Sequence, residues 1–184
     1  MKLKELLKEI PVVDIIGSDE VEITGVNIDS RRIKEGHIFV AMKGTQVDGH
    51  KFIPKAIELG AKAVLCEDMP AEKTEGVTYV QVASTEDVVG KVATTFHGNP
   101  STKLKLVGVT GTNGKTTTSH LIKNIIEKSG VKCGVIGTLG TYYDSCYIEP
   151  SLTTPDPLEL HKIFADMLKH GVEVVVMEVS AHSL

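Results

Sequence analysis

The sequence predicts an α/β protein in two parts. A small N-terminal α/β unit spans residues 1–100, and residues 101–184 form part of a phosphate-loop domain with a parallel sheet. Three observations predict this. Short apolar runs of strand length alternate with helical patterns along the chain, the order that parallel sheets require. The stretch His97-Gly98-Asn99-Pro100-Ser101 cannot continue a helix and marks a junction. Just beyond it, a strand pattern runs through Thr110-Gly111-Thr112-Asn113-Gly114-Lys115-Thr116 into a helical pattern.

In the first part, Leu3, Leu6, Leu7 and Ile10 recur at helical spacing until Pro11 ends the pattern. Val21 to Val26 alternates as a strand does, and His37 to Met42 contains the strand-forming run Ile-Phe-Val-Ala. Phe52 to Leu59 predicts a short helix ended by Gly60. Ala63–Cys66 and Tyr79–Val82 predict buried strands. Thr85 to Phe96 predicts a helix with Val88, Val89, Val92, Ala93 and Phe96 on one face.

In the second part, Leu104–Val109 predicts a strand. Lys115–Lys128 predicts a helix whose Leu121, Ile122, Ile125 and Ile126 point inward, closed by Ser129-Gly130. Val131–Ile136 predicts a second strand. The next helix opens with Asp156 as N-cap, Pro157 at the first position and Glu159 at the third. Leu160, Ile163, Phe164, Met167 and Leu168 line its buried face, and Gly171 ends it. Val172–Met177 is almost wholly apolar, as a strand covered on both faces should be. Strand, helix, strand, helix, strand predicts a parallel, doubly wound sheet.

Composition narrows the function classes. The chain has 184 residues, 20 basic and 24 acidic, for a net charge of −4. That balance lacks the electrostatic footprint of a general nucleic-acid binder. No apolar run approaches a membrane span of roughly 18 residues, so membrane insertion is not expected. Met1-Lys2-Leu3-Lys4-Glu5 does not open a secretory signal. Cys66, Cys133 and Cys146 are odd in number and widely spaced, which argues for reduced thiols in a cytoplasmic protein.

The chemistry concentrates in the loop 110–116. Glycines let backbone amides approach phosphate oxygens, and the following helix N-terminus adds a partial positive charge. Lys115 supplies a full charge to the β/γ-phosphates, and the Thr116 hydroxyl can ligate Mg²⁺. The loop is a variant, because Val109 stands where the strict pattern has its first glycine. Glu178 follows the apolar run 172–176, at the sheet end where open α/β sheets bind ligands, and can hold Mg²⁺ beside Thr116. His50, His97, His161 and His170 read as loop or helix-end residues, and His182 lies close to the phosphate site. Asp29-Ser30-Arg31 and Gly44–His50 read, from the residues alone, as polar turns.

Several of these segments, taken together and in order, resemble the Mur ligases. They are Asp29-Ser30-Arg31, Gly36-His37-Ile38-Phe39-Val40-Ala41, Asp48-Gly49-His50, Gly108 to Thr118, Thr153-Thr154-Pro155-Asp156, and Met177-Glu178-Val179-Ser180-Ala181-His182-Ser183-Leu184. The resemblance implies roles. Ile28, Ser30 and Thr45-Gln46-Val47 would hold the uridine diphosphate, and Thr153, Thr154 and Ser180 would contact the rest of the UDP-sugar-peptide. Gly111, Thr112, Asn113, Gly114, Lys115, Thr116 and Thr117 would bind ATP. Thr116 and Glu178 would be Mg²⁺-associated, and Lys115 and Glu178 carry the catalytic roles. The implied reaction activates a carboxylate of UDP-N-acetylmuramoyl-L-alanyl-D-glutamate as an acyl phosphate. A diamino acid, meso-diaminopimelate or L-lysine, then attacks it.

Family members continue well past the end of this sequence. They add a carbamylated lysine, further Mg²⁺ ligands and a domain that recognises the amino acid. The resemblance therefore implies an N-terminal fragment, inactive alone, whose residues 101–184 are less stable than 1–100 or held by self-association. A nucleotide-sugar binding module without ligase activity and an unrelated phosphate-loop kinase are the competing readings.

Overall fold

The computed structural model describes residues 1–44, 47–150 and 152–180. The chain divides into two units, Met1–Phe96 and His97–Leu184.

The first unit runs α1 (Leu3–Leu6), β1 (Val12–Ile16), β2 (Gly25–Asn27), β3 (His37–Val40), α2 (Ile53–Glu58), β4 (Ala63–Cys66), β5 (Thr78–Val82) and α3 (Thr85–Phe96). Its sheet has the order β1-β5-β4-β3-β2. Strands β2 to β5 are parallel, with Ile38 opposite Ala63 and Leu65 opposite Val80, while β1 pairs antiparallel with β5. Alternation along β3 and β4 covers both faces. Phe39, Val64, Cys66 and Tyr79 pack with Ile53 and Ala56 of α2, and Ile38, Val40, Leu65 and Val80 are fully buried as well. Each such side chain contributes about 1.5–3 kcal/mol by leaving water. On α3, Val88, Val89, Val92 and Ala93 form the buried stripe.

Two expectations change in this unit. The sequence places no element at Val12–Ile16, which forms the edge strand β1. Val13, Ile15 and Ile16 stay exposed there and Asp14 breaks the apolar run, so the segment lacks a core strand's signature. The strand expected over 21–26 shrinks to Gly25–Asn27, with an isolated bridge between Lys2 and Glu22 before it.

The second unit runs β6 (Lys105–Val109), α4 (Lys115–Lys128), β7 (Cys133–Gly137), β8 (Gly140–Tyr143), β9 (Cys146–Ile148), α5 (Pro157–Lys169) and β10 (Val174–Glu178). The sheet order is β6-β10-β7-β8-β9. The last strand in sequence enters between the first two as a parallel neighbour of both, so Val175 and Val176 are fully buried. On one face, Ile163, Phe164 and Met167 of α5 pack with Leu104, Ile136 and Val175. On the other, Ile122 and Ile126 of α4 pack with Cys133, Val174 and Val176.

The sheet is mixed rather than wholly parallel. The hairpin β8–β9 adds antiparallel to β7 through a two-residue turn at Asp144-Ser145, with Asp144 in the left-handed region at φ 49°. The buried face of α4 is also narrower than its sequence pattern suggests. Ile122 and Ile126 are partly buried, whereas Leu121 and Ile125 are 57% and 69% exposed, because it is the first pair's side of the helix that seats on β10 and β7. Among the described residues no helix is long and apolar enough to cross a membrane.

Candidate active site

The loop between β6 and α4 is exposed from Thr110 to Gly114. It turns into the helix at Gly114, whose φ of 78° an L-side chain rarely adopts, so glycine is the residue that fits. Its N-cap residue, Gly114, has no side chain with which to cap it. The first amides of α4 therefore point into the loop, as an anion-binding helix N-terminus requires. The Lys115 side chain folds back over this loop and donates from Nζ to the Gly111 carbonyl at 2.7 Å. A phosphate oxygen arriving in the loop would exchange for that carbonyl.

Glu178 ends β10 beside the loop and is 1% exposed. Its carboxylate is held by neutral donors. Oε2 accepts from the Thr116 and Thr138 hydroxyls, each at 3.1 Å, and Oε1 accepts from the Thr138 amide at 3.1 Å. The buried carboxyl group thus lies beside two hydroxyls that can themselves ligate a cation. A carboxylate and hydroxyls are the hard oxygen donors that Mg²⁺ takes. Among the described residues no three His, Cys, Asp or Glu side chains cluster as a metal cage. One carboxylate with hydroxyls matches an ion that keeps several waters and shares substrate phosphates.

The loop 153–154 joins the same site. The Thr138 hydroxyl gives its one proton to Glu178, so Thr153, 3.3 Å away, is the donor in that pair. The Thr154 hydroxyl donates to the Glu178 carbonyl and accepts from the Ser180 amide, both at 3.1 Å. Asp156 then caps α5, its carboxylate accepting from the Leu158 and Glu159 amides at 2.9 and 3.0 Å. Thr116, Thr153, Thr154, Glu178 and Ser180, chosen in the sequence from three separate motifs, are therefore joined in one hydrogen-bonded group with Thr138, in which Thr116 bonds the Glu178 carboxylate and Thr154 its carbonyl. Thr138 belongs to the same group and sequence reading missed it. Its signal was its place just past the carboxyl end of β7, next to the strand that carries Glu178.

In the first unit, Ile28 is half-buried, Ser30 is buried and Val47 is 53% exposed, while Thr45 and Gln46 lie outside the described residues. Ser30 opens a 3₁₀ turn, Ser30–Arg32, capped by Asp29. Arg31 grips Asp29 through Nε at 2.9 Å and a terminal nitrogen at 2.8 Å. That forked ion pair holds the Asp29 carboxyl below its usual range and is turn chemistry internal to the loop. His50 ties down the second loop. Its Nδ1 lies 2.7 Å from Asp48, and its Nε2 accepts from the Glu67 and Asp68 amides at 3.0 and 3.2 Å. Of the other histidines, His161 sits within α5 rather than at its end, and His182 lies outside the described residues.

Residues 22–97 match the family model described as Mur ligase family, catalytic domain, and residues 109–184 match the Mur ligase middle domain. The chain belongs to the Mur ligase family. Among curated Mur ligases it is 56% identical, over its whole length, to the UDP-N-acetylmuramoyl-L-alanyl-D-glutamate--2,6-diaminopimelate ligase of Bacteroides fragilis, of which it covers 38%. It is 44% identical to the protein of the same name from Clostridium tetani, again over 38% of that protein. A solved structure of a ligase of that name aligns with 99% of this chain and 36% of its own, at TM-score 0.78 and 28% identity. A MurF ligase from Thermotoga maritima, solved in complex with ADP, aligns with 88% of this chain and 32% of its own, at TM-score 0.58 and 28% identity. The chain thus spans 38% of the length of the curated Mur ligases it matches.

Proposed function

We propose that this chain carries the nucleotide-binding and UDP-sugar-binding part of an ATP-dependent ligase. The reaction joins 2,6-diaminopimelate to UDP-N-acetylmuramoyl-L-alanyl-D-glutamate in peptidoglycan synthesis, in the cytoplasm where ATP is available. The names of the similar ligases support diaminopimelate over lysine. The observation that carries the reading is that Thr116 bonds the Glu178 carboxylate and Thr154 the Glu178 carbonyl, with Thr153 and Ser180 joined to them through Thr138 and Thr154, next to the loop over which Lys115 folds.

In this reading Gly111 to Thr117 cradle the phosphates of ATP with backbone amides, and Lys115 turns from the Gly111 carbonyl to the γ-phosphate. Thr116 and Glu178 would hold Mg²⁺, which when bound would neutralise phosphate charge. Thr153, Thr154 and Ser180 orient the sugar-peptide so that its carboxylate oxygen faces the γ-phosphorus. The new oxygen–phosphorus bond forms as the bond to ADP breaks, and Lys115 stabilises the charge that spreads over the phosphoryl oxygens. The amine then attacks the acyl carbon and phosphate leaves. Ile28, Ser30, Thr45, Gln46 and Val47 hold the uridine diphosphate, which makes a mobile reactant a positioned one.

Calorimetry on the 184-residue chain tests this. UDP and Mg²⁺-ATP should each bind. Ser30→Ala should weaken UDP binding by roughly 1 kcal/mol with ATP binding unchanged. Lys115→Ala should do the reverse. UDP-sugar binding without any response to ATP would favour a binding module instead, and no heat from either ligand at millimolar concentration would overturn the assignment.

A further inference from the structure

Away from the phosphate loop, the C-terminal end of α5 meets the hairpin β8–β9 in a cluster that the ligase reading does not use. His170 follows α5 as its C-cap residue. Its main chain is fixed at both ends. The amide donates to the Asp166 and Met167 carbonyls, and the carbonyl accepts from Lys132 Nζ at 3.0 Å. The ring is fixed too. Nδ1 lies 3.0 Å from the Asp166 carbonyl oxygen, and the Tyr143 ring packs edge-on against the imidazole at 5.4 Å. Tyr143 donates in turn to the Asp166 carboxylate at 2.5 Å.

This arrangement sets the tautomer. A carbonyl only accepts, so Nδ1 carries the proton and Nε2 presents its lone pair. Nε2 lies 3.7 Å from Cys146 Sγ. Cys146 sits on β9, the edge strand, and is partly exposed. A nucleophile, a base that reaches it, and a third group that orients the base are the components of an activated thiol. Other groups face the pair. From α5, the Asp166 carboxylate stands 3.8 Å from His170 Nδ1. Tyr143 of β8 stays neutral, its hydroxyl held well above the usual phenol range by burial and by Asp166. Lys132 spends its ammonium on the His170 carbonyl.

We propose that Cys146, with His170 as its base, is a nucleophilic thiol and a site of covalent modification by hydroperoxides. The thiol proton passes to Nε2. The sulfur attacks the distal peroxide oxygen, the O–O bond breaks, and the Nε2 proton goes to the departing oxygen. The products are a sulfenic acid and water or an alcohol; the sulfur is oxidised and the peroxide reduced. The added oxygen occupies the gap to Nε2 and removes the contact between β9 and the end of α5. Cys66 and Cys133 provide internal controls. Both are buried, and burial pushes each thiol up to about 11.

The test is a brief hydrogen peroxide pulse on the 184-residue chain, with dimedone trapping and peptide mass spectrometry. Cys146 should trap first, and His170→Gln should slow it about tenfold or more with native circular dichroism retained. Equal trapping in a folded His170→Gln variant would overturn the proposal. A measurement that needs no variant is the rate at which iodoacetamide alkylates Cys146 at about pH 7, set against that of a small free thiol. A thiol with a base in reach should be the faster of the two, and a rate no faster than the free thiol's would also overturn the proposal.

Discussion

The Glu178 carboxylate rests against the backbone of Gly137, so closely that a methyl group on Gly137 would overlap it. The two residues end adjacent parallel strands, one step beyond the Met177–Ile136 pair. Glycine at the end of β7 therefore clears the volume that the buried acid at the end of β10 fills. Gly137→Ala should cost about 1–3 kcal/mol by overpacking and turn the carboxylate away from Thr116 and Thr138. Urea denaturation would read the first effect and Mg²⁺-dependent ATP binding the second. Wild-type values in both would show that the carboxylate has room to move.

Among the described residues, Thr138 supplies two of the three bonds that Glu178 accepts through its side chain, one from the hydroxyl and one from the amide. Thr138→Val keeps shape and amide but leaves Oε2 with Thr116 alone, and removes the acceptor of Thr153. Losing a donor to a buried carboxylate should cost about 1–3 kcal/mol. Thr138→Ser should restore most of it, because serine keeps the hydroxyl. Equal stability of the valine and serine variants in thermal unfolding would rule out the hydroxyl's role.

How far the sequence carried these arguments depended on whether a segment's pattern was local. The loop 110–116, the N-cap pair Asp156-Pro157 and the helix 115–128 are written in consecutive residues, and they lie where the pattern put them. The site residues Thr116, Thr153, Thr154, Glu178 and Ser180 could be chosen from motifs, but their meeting point depends on β10 entering between β6 and β7. Thr138 became visible once that pairing set β7 beside β10. The strands β8 and β9 were missed although Tyr142, Tyr143, Tyr147 and Ile148 are strong strand formers. Interposed Gly140, Asp144 and Ser145 break up the strand pattern, and the stretch was given no element. Edge strand β1 escaped for the opposite reason: exposed on both sides, it has no alternation to detect.

Lys115 projects across the loop rather than into the core, with Gly111 as its present partner. Lys115→Ala should therefore leave the unfolding midpoint within about 0.5 kcal/mol of the original, as surface substitutions do. In a full-length ligase carrying this segment it should lower turnover by about 10²–10³-fold or more, the loss expected when a charge-stabilising donor is removed. Coupled ADP-release assays would read turnover. Near-normal ligation by a folded variant would remove the lysine from the mechanism.

His37 gives the first unit a pH dependence whose sign follows from its partners. Nδ1 accepts from Asn27 Nδ2 at 3.0 Å and from the Lys34 amide at 3.3 Å. Asn27 also donates to the Arg32 carbonyl at 3.3 Å, which fixes Nδ2 as the nitrogen facing His37. Both neighbours are donors, so protonating Nδ1 would break two hydrogen bonds. Burial, and then the Lys34 charge, hold the His37 pKa below its ordinary value of 6.5. As pH falls through 6.5, the unfolded chain takes up the proton before the folded one does. The stability associated with neutral His37 is thus present above 6.5 and lost on acidification below it. His97 in the second unit carries the same sign, its pKa lowered by burial and then by His161, Lys162 and Lys169. The ion-paired or hydrogen-bonded carboxylates Asp29, Asp48 and Glu67 are lowered from 3.8 to 4.5 starting values and respond at more acidic pH. Urea midpoints measured from pH 7 to pH 5 should therefore fall with acid. His37→Gln should flatten that slope in part, leaving the share that His97 supplies. An unchanged slope in the variant would mean that His37 titrates alike in the folded and unfolded chain, and that its two donors do not hold it neutral.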